Sequence, residues 1–340
     1  QRRLKRPGMS WENLKLLAGQ RLMLGFDGPQ FSQDLQDLIR RFSPGGLILF
    51  RQNIESPEQV KTLCRLAQEY ARSCKLPPLF ISVDQEGGTV ARLRAPFTEF
   101  KGNPFIKTRE EADRFARITA RELSDAGINM NLAPVMDVAH DLPYSIMKDR
   151  AFPGDAQRVS DLGCRVIKTP QERGRMAVAK HFPGIGRTRK DSHHVLPVLD
   201  EDLETLWESD LKPFVRAKEE GVSGIMLSHI SYPRVDGKWQ ASLSPVIAHD
   251  LLREKLGFQG LTLTDDLDMK AISHDMDTCV SQIIEAGIDQ VLICHTGPNM
   301  ALAFKAMIRL LERNERLLAR AKTSLDRIMA AKKTYLADLF

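Results

Sequence analysis

The sequence predicts an α/β fold, a single (β/α)₈ barrel of the TIM type. Short apolar runs rich in Val, Ile and Leu alternate with longer amphipathic stretches along the 340 residues. This pattern is typical of parallel strands that are joined by helices and covered on both faces. Eight such strand-and-helix units occur, the number that closes a TIM barrel. No GxGxxG turn follows the first apolar run, which argues against a doubly wound, nucleotide-binding sheet.

The eight predicted strands are short and mostly apolar, as buried parallel strands are. They are residues 22–26, 45–50, 79–84, 130–135, 177–182, 224–229, 261–266 and 290–294. The amphipathic stretches predict helices over 57–73, 109–125, 155–168, 204–219 and 245–256. The last amphipathic stretch, 315–337, predicts a packing helix with a basic outer face.

Local signals mark the ends of these helices. Ser56, Pro57 and Gln59 supply an N-cap, a proline at the first helical position and a capping-box glutamine. Ser244 and Pro245 repeat the first two of these signals. Four glycines follow helical runs and precede strands, as helix-ending glycines do. They are Gly127, Gly221, Gly257 and Gly287.

Composition limits the possible functions. The net charge of +5 is small and scattered, so nucleic acid is not an expected partner. The longest apolar runs have strand length, so no membrane span is expected. Five cysteines without a CxxC pair favour a reducing compartment, and hence the cytoplasm. The chain begins with Gln1, which leaves a removed export signal as an open alternative.

The domain organisation is expected to be simple. No internal repeat or low-complexity linker is evident, so residues 1–340 are predicted to form one domain. Basic residues cluster at the very start of the chain. We therefore expect residues 1–10 to form a flexible, solvated tail.

Polar side chains gather at the carboxyl ends of the predicted strands, where barrel enzymes build their active sites. Any one of them is explained by capping or hydrogen bonding, but the whole set is better explained by an active site. The set contains Asp84, Asp137, Lys180, His181, Ser228, His229, Asp265, Asp266 and His295.

Three chemistries can use these residues. A metal-assisted hydrolase would take His181, His193, His194 and Asp265 as ligands, but the early strands lack the close histidine pair usual in barrel zinc hydrolases. A Schiff-base lyase would use Lys180, and the pKa of that amine would then have to be lowered. Glycoside hydrolysis needs a carboxylate nucleophile and a separate proton donor.

The segment after the fifth predicted strand carries further polar residues. Gly184 and Gly186 open it, and we expect a flexible loop over 184–196. Asp191 and His193 lie two residues apart, so the carboxylate can hydrogen-bond the imidazole. Such a bond fixes the ring tautomer and raises its basicity, as an acid–base catalyst requires.

Seven segments of the chain carry a family resemblance. They are VDQEGGTVARLR (83–94), NLAPVMDV (131–138), RAFPGD (150–155), AKHFPGIGRT (179–188), DSHHVLP (191–197), MLSHISYPRVDG (226–237) and LTLTDDLDM (261–269). In these segments the sequence resembles the bacterial β-N-acetylglucosaminidases of glycoside hydrolase family 3, of the NagZ type. The combination of KHFPG, DSH and TDDLxM is highly specific.

The resemblance implies a single barrel that needs no cofactor or metal. It implies removal of a terminal N-acetylglucosamine from small muropeptide fragments during peptidoglycan recycling, with retention of configuration. It also implies Asp265 as the nucleophile and His193 as the general acid/base, with Asp191 as the partner of His193. The positions that would hold sugar hydroxyls are Asp84, Arg92, Arg150, Lys180 and His181.

Several alternatives stay open. Asp266 competes with Asp265 as the nucleophile, although it can instead bond nearby backbone. A neutral histidine in place of a second carboxylate also lets an anion approach, so phosphate rather than water can attack the glycosyl-enzyme. The alternatives to a hydrolase are therefore a β-N-acetylglucosaminide phosphorylase and an inactive sugar-binding barrel.

Two features bear on the ligand. Aromatic residues are few, with three Trp and four Tyr, which favours a short ligand held by polar groups. Tyr232 and Trp239 are candidates for contact with the aglycone or for anchoring loops. Ile185 stands where the family pattern usually has histidine, and this departure affects the loop and the aglycone preference more than the chemistry.

Overall fold

The protein is a closed barrel of eight parallel strands. The computed structural model describes residues 10–140, 144–189, 196–272 and 274–340. Its strands are β1 (Leu22–Leu24), β2 (Gly46–Leu49), β3 (Phe80–Val83), β4 (Gln85–Gly87), β5 (Val90–Ala91), β6 (Met130–Asn131), β7 (Met176–Phe182), β8 (Gly224–Leu227), β9 (Leu261–Asp266) and β10 (Gln290–Ile293). Around the barrel the order is β1-β10-β9-β8-β7-β6-β3-β2. The first strand pairs with both the second and the last, which closes the sheet.

The predicted fold class is confirmed, and each of the eight predicted strands overlaps a barrel strand. The short antiparallel hairpin of β4 and β5 was not predicted. Its strands are only two or three residues long, and its turn lies at Gly87 and Gly88, whose φ angles of 86° and 62° favour glycine. Residues 1–9, most of the predicted tail, lie outside the described residues.

Helices cover the outside of the barrel. They are α1 (Trp11–Gln20), α2 (Gln33–Phe42), α3 (Pro57–Ser73), α4 (Arg109–Asp125), α5 (Ala156–Glu172), α6 (Leu203–Glu208), α7 (Lys212–Glu219), the π-helix Val246–Lys255, α8 (Met276–Glu285), α9 (Pro298–Arg313) and α10 (Glu315–Tyr335). None of the described helices is both long enough and apolar enough to cross a membrane.

The helix predictions are confirmed with two differences. The predicted helix 204–219 is broken into α6 and α7, because Asp210 turns inward between them and is completely buried. The predicted helix 245–256 is π-helical over most of its length. The predicted serine caps form: the Ser56 hydroxyl accepts from Gln59 N, and the Ser244 hydroxyl accepts from Ile247 N. The predicted capping box does not form, because the Gln59 side chain accepts from Glu55 N instead of Ser56 N.

The barrel interior is filled by side chains, as in other barrels of this size. Met23, Ile48, Phe80, Met130, Met176 and Leu263 belong to this inner cluster. At the amino ends of the strands, Ile328 and Leu336 of α10 and its flank pack against the same cluster. The amino-terminal end of the barrel is thus covered by α10, and the opposite end is left to form a pocket.

A buried carboxylate ties α10 to the barrel. Asp289 accepts hydrogen bonds from Arg253 Nη2 at 2.7 Å, Arg327 Nε at 2.8 Å and Thr262 N at 2.9 Å. Asp289 is fully buried, so its charge is stabilised by these partners and not by water. The ion pairs therefore link the start of β10, the π-helix and α10.

Asp289→Ala is expected to lower the free energy of unfolding by about 3–5 kcal/mol, because it leaves buried guanidinium groups unpaired. Urea denaturation at neutral pH measures this. Asp326→Ala, one position from Arg327 but exposed, is the matched control and should change the stability by less than about 0.5 kcal/mol. Equal effects of the two substitutions would contradict the role of the buried pair.

Candidate active site

A pocket of about 420 Å³ opens at the carboxyl ends of the barrel strands. Its volume lies within the usual range of small-molecule sites. Six of the eight predicted site residues line it, namely Asp84, Arg92, Arg150, Lys180, His181 and Asp265. The other two, Asp191 and His193, lie outside the described residues, as does His194.

Lys180 and His181 face the pocket from the same strand. Between β7 and β8 the register shifts, so that Lys180 pairs with Met226 and Phe182 with Leu227. One extra residue in a strand allows neighbouring side chains to face the same side. Both side chains consequently reach the pocket although they are adjacent in sequence.

Lys180 is held between two carboxylates. Its Nζ lies 2.7 Å from Asp84 Oδ1 and 2.7 Å from Glu86 Oε1. Burial alone would lower the pKa of Lys180, but Asp84 and Glu86 outweigh it and the pKa is raised. Arg92 approaches the other oxygen of Asp84 at 3.5 Å. Lys180 is therefore a fixed ammonium ion that faces the pocket.

Glu86 was not predicted as a site residue, yet it binds two of the cations that line the pocket. It accepts two hydrogen bonds from Arg150, at 3.0 and 2.8 Å, as well as the contact from Lys180. Burial opposes ionisation of Glu86, yet Lys180 and Arg150 hold its pKa well below the ordinary value. Glu86 therefore holds two cations in place beneath the pocket. Its only sequence signal is its position two residues after Asp84, in the hairpin that was not predicted.

A buried carboxylate orients the imidazole ring of His181. Its Nδ1 donates to Asp137 Oδ2 at 2.8 Å. In the neutral ring Nε2 is then unprotonated, and it accepts a contact from Arg150 Nη2 at 3.4 Å. Asp137 is completely buried and also accepts from Ile185 N at 2.8 Å. Asp137 thus orients His181 and holds the start of the next loop.

Asp265 ends β9 on the pocket wall. Its Oδ1 accepts from Asp266 N at 2.8 Å. Burial would raise the pKa of Asp265, but the charges that His229 and His181 carry when protonated, the Asp266 N–H and the Lys180 ammonium group outweigh burial and lower it. The carboxylate is therefore ionised over the neutral range, as a nucleophile must be.

Asp266 is engaged with the backbone instead. Its Oδ1 accepts from Asp268 N at 3.0 Å and from Cys294 N at 3.1 Å. Burial first, and the charge of Asp268 next, raise the pKa of Asp266 to about 6. Both aspartates line the pocket, but Asp266 accepts from two backbone N–H groups and Asp265 from one.

One group of described side chains has the composition of a cation site. Asp266, Asp268 and His295 bring ligand atoms within 4.8 Å of one another. Asp268 already accepts from His295 N and Asn299 Nδ2, at 3.0 and 2.7 Å. These hydrogen bonds account for the arrangement. The group also differs from the His181, His193, His194 and Asp265 set considered for a metal hydrolase.

The first residues of the loop after β7 are buried and bonded. Tyr232 Oη donates to Gly184 O at 2.9 Å, and Ser145 Oγ donates to Gly186 O at 2.7 Å. A Cβ on Gly186 would lie 1.8 Å from Val138 O. Gly184 and Gly186 therefore allow close contacts with neighbouring backbone and side chains, and do not make this part of the loop flexible. The prediction of a flexible loop over 184–196 is therefore wrong for its first residues, 184–186.

Tyr232 was a candidate for aglycone contact, and that interpretation is wrong. Its side chain is completely buried, and its hydroxyl group anchors the loop, which was the alternative. Trp239 is half-buried and stacks obliquely against His274, with ring centroids 5.1 Å apart. Neither residue is among those that line the pocket.

Arg187 fixes the same loop through a buried ion pair. Its Nε lies 2.9 Å from Oδ2 of Asp210, the residue between α6 and α7. We expect Arg187→Met to lower kcat about tenfold, since a small displacement of a catalytic segment costs up to about a hundredfold. Arg173→Met, at an exposed helix end, is the control. Steady-state kinetics that leave kcat unchanged in Arg187→Met would show that the pair does not support catalysis.

Comparison with known proteins agrees with the fold and identifies the family. Residues 12–331 match the family described as Glycosyl hydrolase family 3 N terminal domain. A Beta-hexosaminidase of Methylobacillus flagellatus is 35% identical over 285 residues, 81% of this chain and 80% of that protein. A Beta-hexosaminidase of Pseudomonas aeruginosa is 34% identical over 296 residues, 85% of this chain and 86% of that protein.

Solved structures of family 3 enzymes are also similar to this chain. A family 3 beta-N-acetylglucosaminidase from a Paenibacillus species has a TM-score of 0.92 and 35% identity. The match covers 97% of this chain and 64% of that longer chain. Native NagZ from Neisseria gonorrhoeae has a TM-score of 0.73 and 26% identity, and the match covers 91% of this chain and 97% of that one. This chain therefore belongs to glycosyl hydrolase family 3.

Proposed function

We infer that the protein is a retaining exo-β-N-acetylglucosaminidase. The observation that carries the inference is the half-buried Asp265 carboxylate, with a lowered pKa, in a pocket whose other polar residues alternate in charge. A carboxylate nucleophile beside groups that bind hydroxyls is what glycoside hydrolysis requires. The names of the hexosaminidase relatives support the choice of sugar.

In this proposal a terminal sugar enters the pocket with its hydroxyl groups toward the charged cluster. Asp84 accepts hydrogen bonds from hydroxyls, whereas Arg92, Arg150 and Lys180 donate to them. Another hydroxyl displaces the 3.4 Å contact of Arg150 Nη2 with His181 Nε2 and donates to that nitrogen instead. Hydrogen bonds to charged groups are the stronger ones, so the cluster orients the ring.

The reaction then takes two steps. Asp265 attacks the anomeric carbon while His193 gives its proton to the departing glycosidic oxygen. This forms a glycosyl-enzyme ester and releases the aglycone. His193, now neutral, takes a proton from water, and the resulting attack on the anomeric carbon frees Asp265. Asp191 holds the imidazole of His193. Two inversions give net retention.

We further propose small peptidoglycan fragments as the substrates and the cytoplasm as the compartment. A pocket of about 420 Å³ at the end of the barrel suits a chain terminus better than the middle of a polysaccharide. The resemblance to the NagZ type supports this substrate class. Incubation with purified muropeptides and mass spectrometry of the products tests it, and release of anything other than one terminal sugar would contradict it.

The activity itself is tested with p-nitrophenyl β-N-acetylglucosaminide, with and without phosphate and with EDTA. Turnover that resists EDTA and ignores phosphate is the expected result. Strong stimulation by phosphate, with a sugar phosphate as product, would identify a phosphorylase. The absence of turnover with this substrate and with muropeptides would favour a sugar-binding barrel.

A further inference from the structure

His229 lies behind the pocket wall, between the ends of β8 and β9. Its side chain is buried, and it is not among the residues that line the pocket. Its Nε2 lies 2.9 Å from the backbone oxygen of Asp266, and its Nδ1 lies 2.6 Å from Ser242 Oγ. The ring therefore links two loops at the strand end that carries Asp265.

The two contacts fix the proton on the ring. A backbone oxygen only accepts hydrogen bonds, so Nε2 of His229 carries the proton. Burial lowers the pKa of His229 and favours the neutral ring. In that form Nδ1 accepts from the hydroxyl group of Ser242. Ser242 is itself buried and donates its backbone N–H to Ser228 O at 3.0 Å.

The residue that His229 holds is the one that orients Asp265. Asp266 N donates to Asp265 Oδ1 at 2.8 Å, so the direction of the carboxylate depends on the backbone of Asp266. From the β10 side, Cys294 N holds the side chain of Asp266 at 3.1 Å. From the β8 side, His229 holds its carbonyl group. Asp266, the residue whose N–H orients Asp265, is thus held from both neighbouring strands, through its side chain and its carbonyl group.

We propose that His229 is a positioning residue for Asp265, and that Ser242 sets the tautomer in which His229 does this. The inference rests on the proposed function, because it takes Asp265 as the nucleophile. His229 does not touch the substrate; it keeps the strand end in the geometry from which the carboxylate reaches the anomeric carbon. Loss of His229 should therefore slow formation of the bond between Asp265 and the anomeric carbon, and should leave substrate binding almost unchanged.

His229→Leu removes both hydrogen bonds and is expected to lower kcat about ten- to hundredfold, with KM changed less than about threefold. His229→Gln places an amide N–H near the position of Nε2 and should recover most of the loss. Ser242→Ala keeps the ring but frees its tautomer, and a loss of about threefold to tenfold is expected. His249→Gln, at an exposed site on the π-helix, is the matched control.

A substrate with an activated leaving group distinguishes a defect in the nucleophile from a defect in the general acid/base. A 2,4-dinitrophenyl glycoside needs little protonation of its leaving group, so its cleavage depends on the nucleophile. The loss in His229→Leu should persist with this substrate. A loss that vanishes with it, a change mainly in KM, or equal losses in the leucine and glutamine variants would overturn the proposal.

Nuclear magnetic resonance of the ring nitrogens gives a readout that does not depend on activity or on the folding of a variant. Wild-type protein labelled with ¹⁵N at histidine should show His229 with a protonated Nε2 and an unprotonated Nδ1. The opposite tautomer would overturn the proposal. Full activity of Asp265→Ala would instead refute the proposed function, whereas an inactive Asp265→Ala with a fully active His229→Leu would refute only this inference.

Discussion

Replacing Asp265 by asparagine is expected to lower kcat about 10⁴-fold or more, the scale of loss that follows removal of an enzyme's nucleophile. The same change at Asp266 is expected to lower kcat less than about tenfold, because the asparagine oxygen can still accept from Asp268 N and Cys294 N. Each variant replaces one carboxylate oxygen by an amide nitrogen, and the two positions are adjacent in the sequence. Steady-state kinetics with p-nitrophenyl β-N-acetylglucosaminide measure both.

Asp266→Asn also has an expected effect on stability. The pKa of Asp266 is about 6 in the folded protein, above its ordinary value of 3.8. The folded state therefore binds the proton more tightly, and the wild type gains stability as pH falls from 7 toward 4. Asparagine has no such dependence. Asp266→Asn should stabilise the protein by about 1–3 kcal/mol at pH 7.5, and the gain should disappear near pH 4.

The opposite pattern would reassign the nucleophile. An active Asp265→Asn together with an inactive, folded Asp266→Asn would make Asp266 the attacking group. Freshly purified protein and short assays are needed, since slow deamidation of asparagine would regenerate aspartate. Asp265→Ala is free of that problem and should lose turnover equally.

Replacing Glu86 by alanine is expected to lower kcat/KM about 10²–10³-fold, because it removes the anchor of two cations that face the sugar, and a displacement of about 1 Å can cost about 10²-fold. The substitution leaves Lys180 with Asp84 alone and deprives Arg150 of both its hydrogen bonds to a carboxylate. Both cations would then move from the positions in which they face the sugar. The loss should appear in KM as well as in kcat.

The matched control for Glu86→Ala is Glu69→Ala. Glu69 pairs with Arg65 at 2.8 Å on the exposed face of α3, and both side chains are more than half exposed. Such surface pairs contribute about 0–1 kcal/mol. Unchanged kcat/KM in a folded Glu86→Ala protein would show that the two cations do not need this carboxylate.

The barrel could be predicted from the regular alternation of apolar runs and amphipathic stretches in the sequence. Most of the site could be predicted too, because its residues follow those apolar runs. Eight apolar runs and their connecting helices determine a closed parallel sheet. Strands that point the same way bring their carboxyl ends together, so Asp84, Lys180 and Asp265 had to converge. The motifs then indicated which of the converging residues belong to a hydrolase.

What could not be predicted depends on contacts between residues that are distant in sequence. The link from Glu86 to Arg150 spans 64 positions, and that from Tyr232 to Gly184 spans 48. A buried glutamate and a loop anchor have no local pattern that differs from those of an exposed acid or a sugar-binding aromatic residue. The break between α6 and α7 follows from the burial of Asp210, which is also a long-range effect.

The most direct test of the two-step mechanism is to trap the glycosyl-enzyme. Treatment with a fluorinated N-acetylglucosaminyl analogue that bears an activated leaving group slows the second step, so the ester accumulates. Proteolysis and mass spectrometry then locate the sugar. We predict one sugar per chain, attached to Asp265. A label on Asp266 or on another residue, or turnover of the analogue without any ester, would contradict the mechanism.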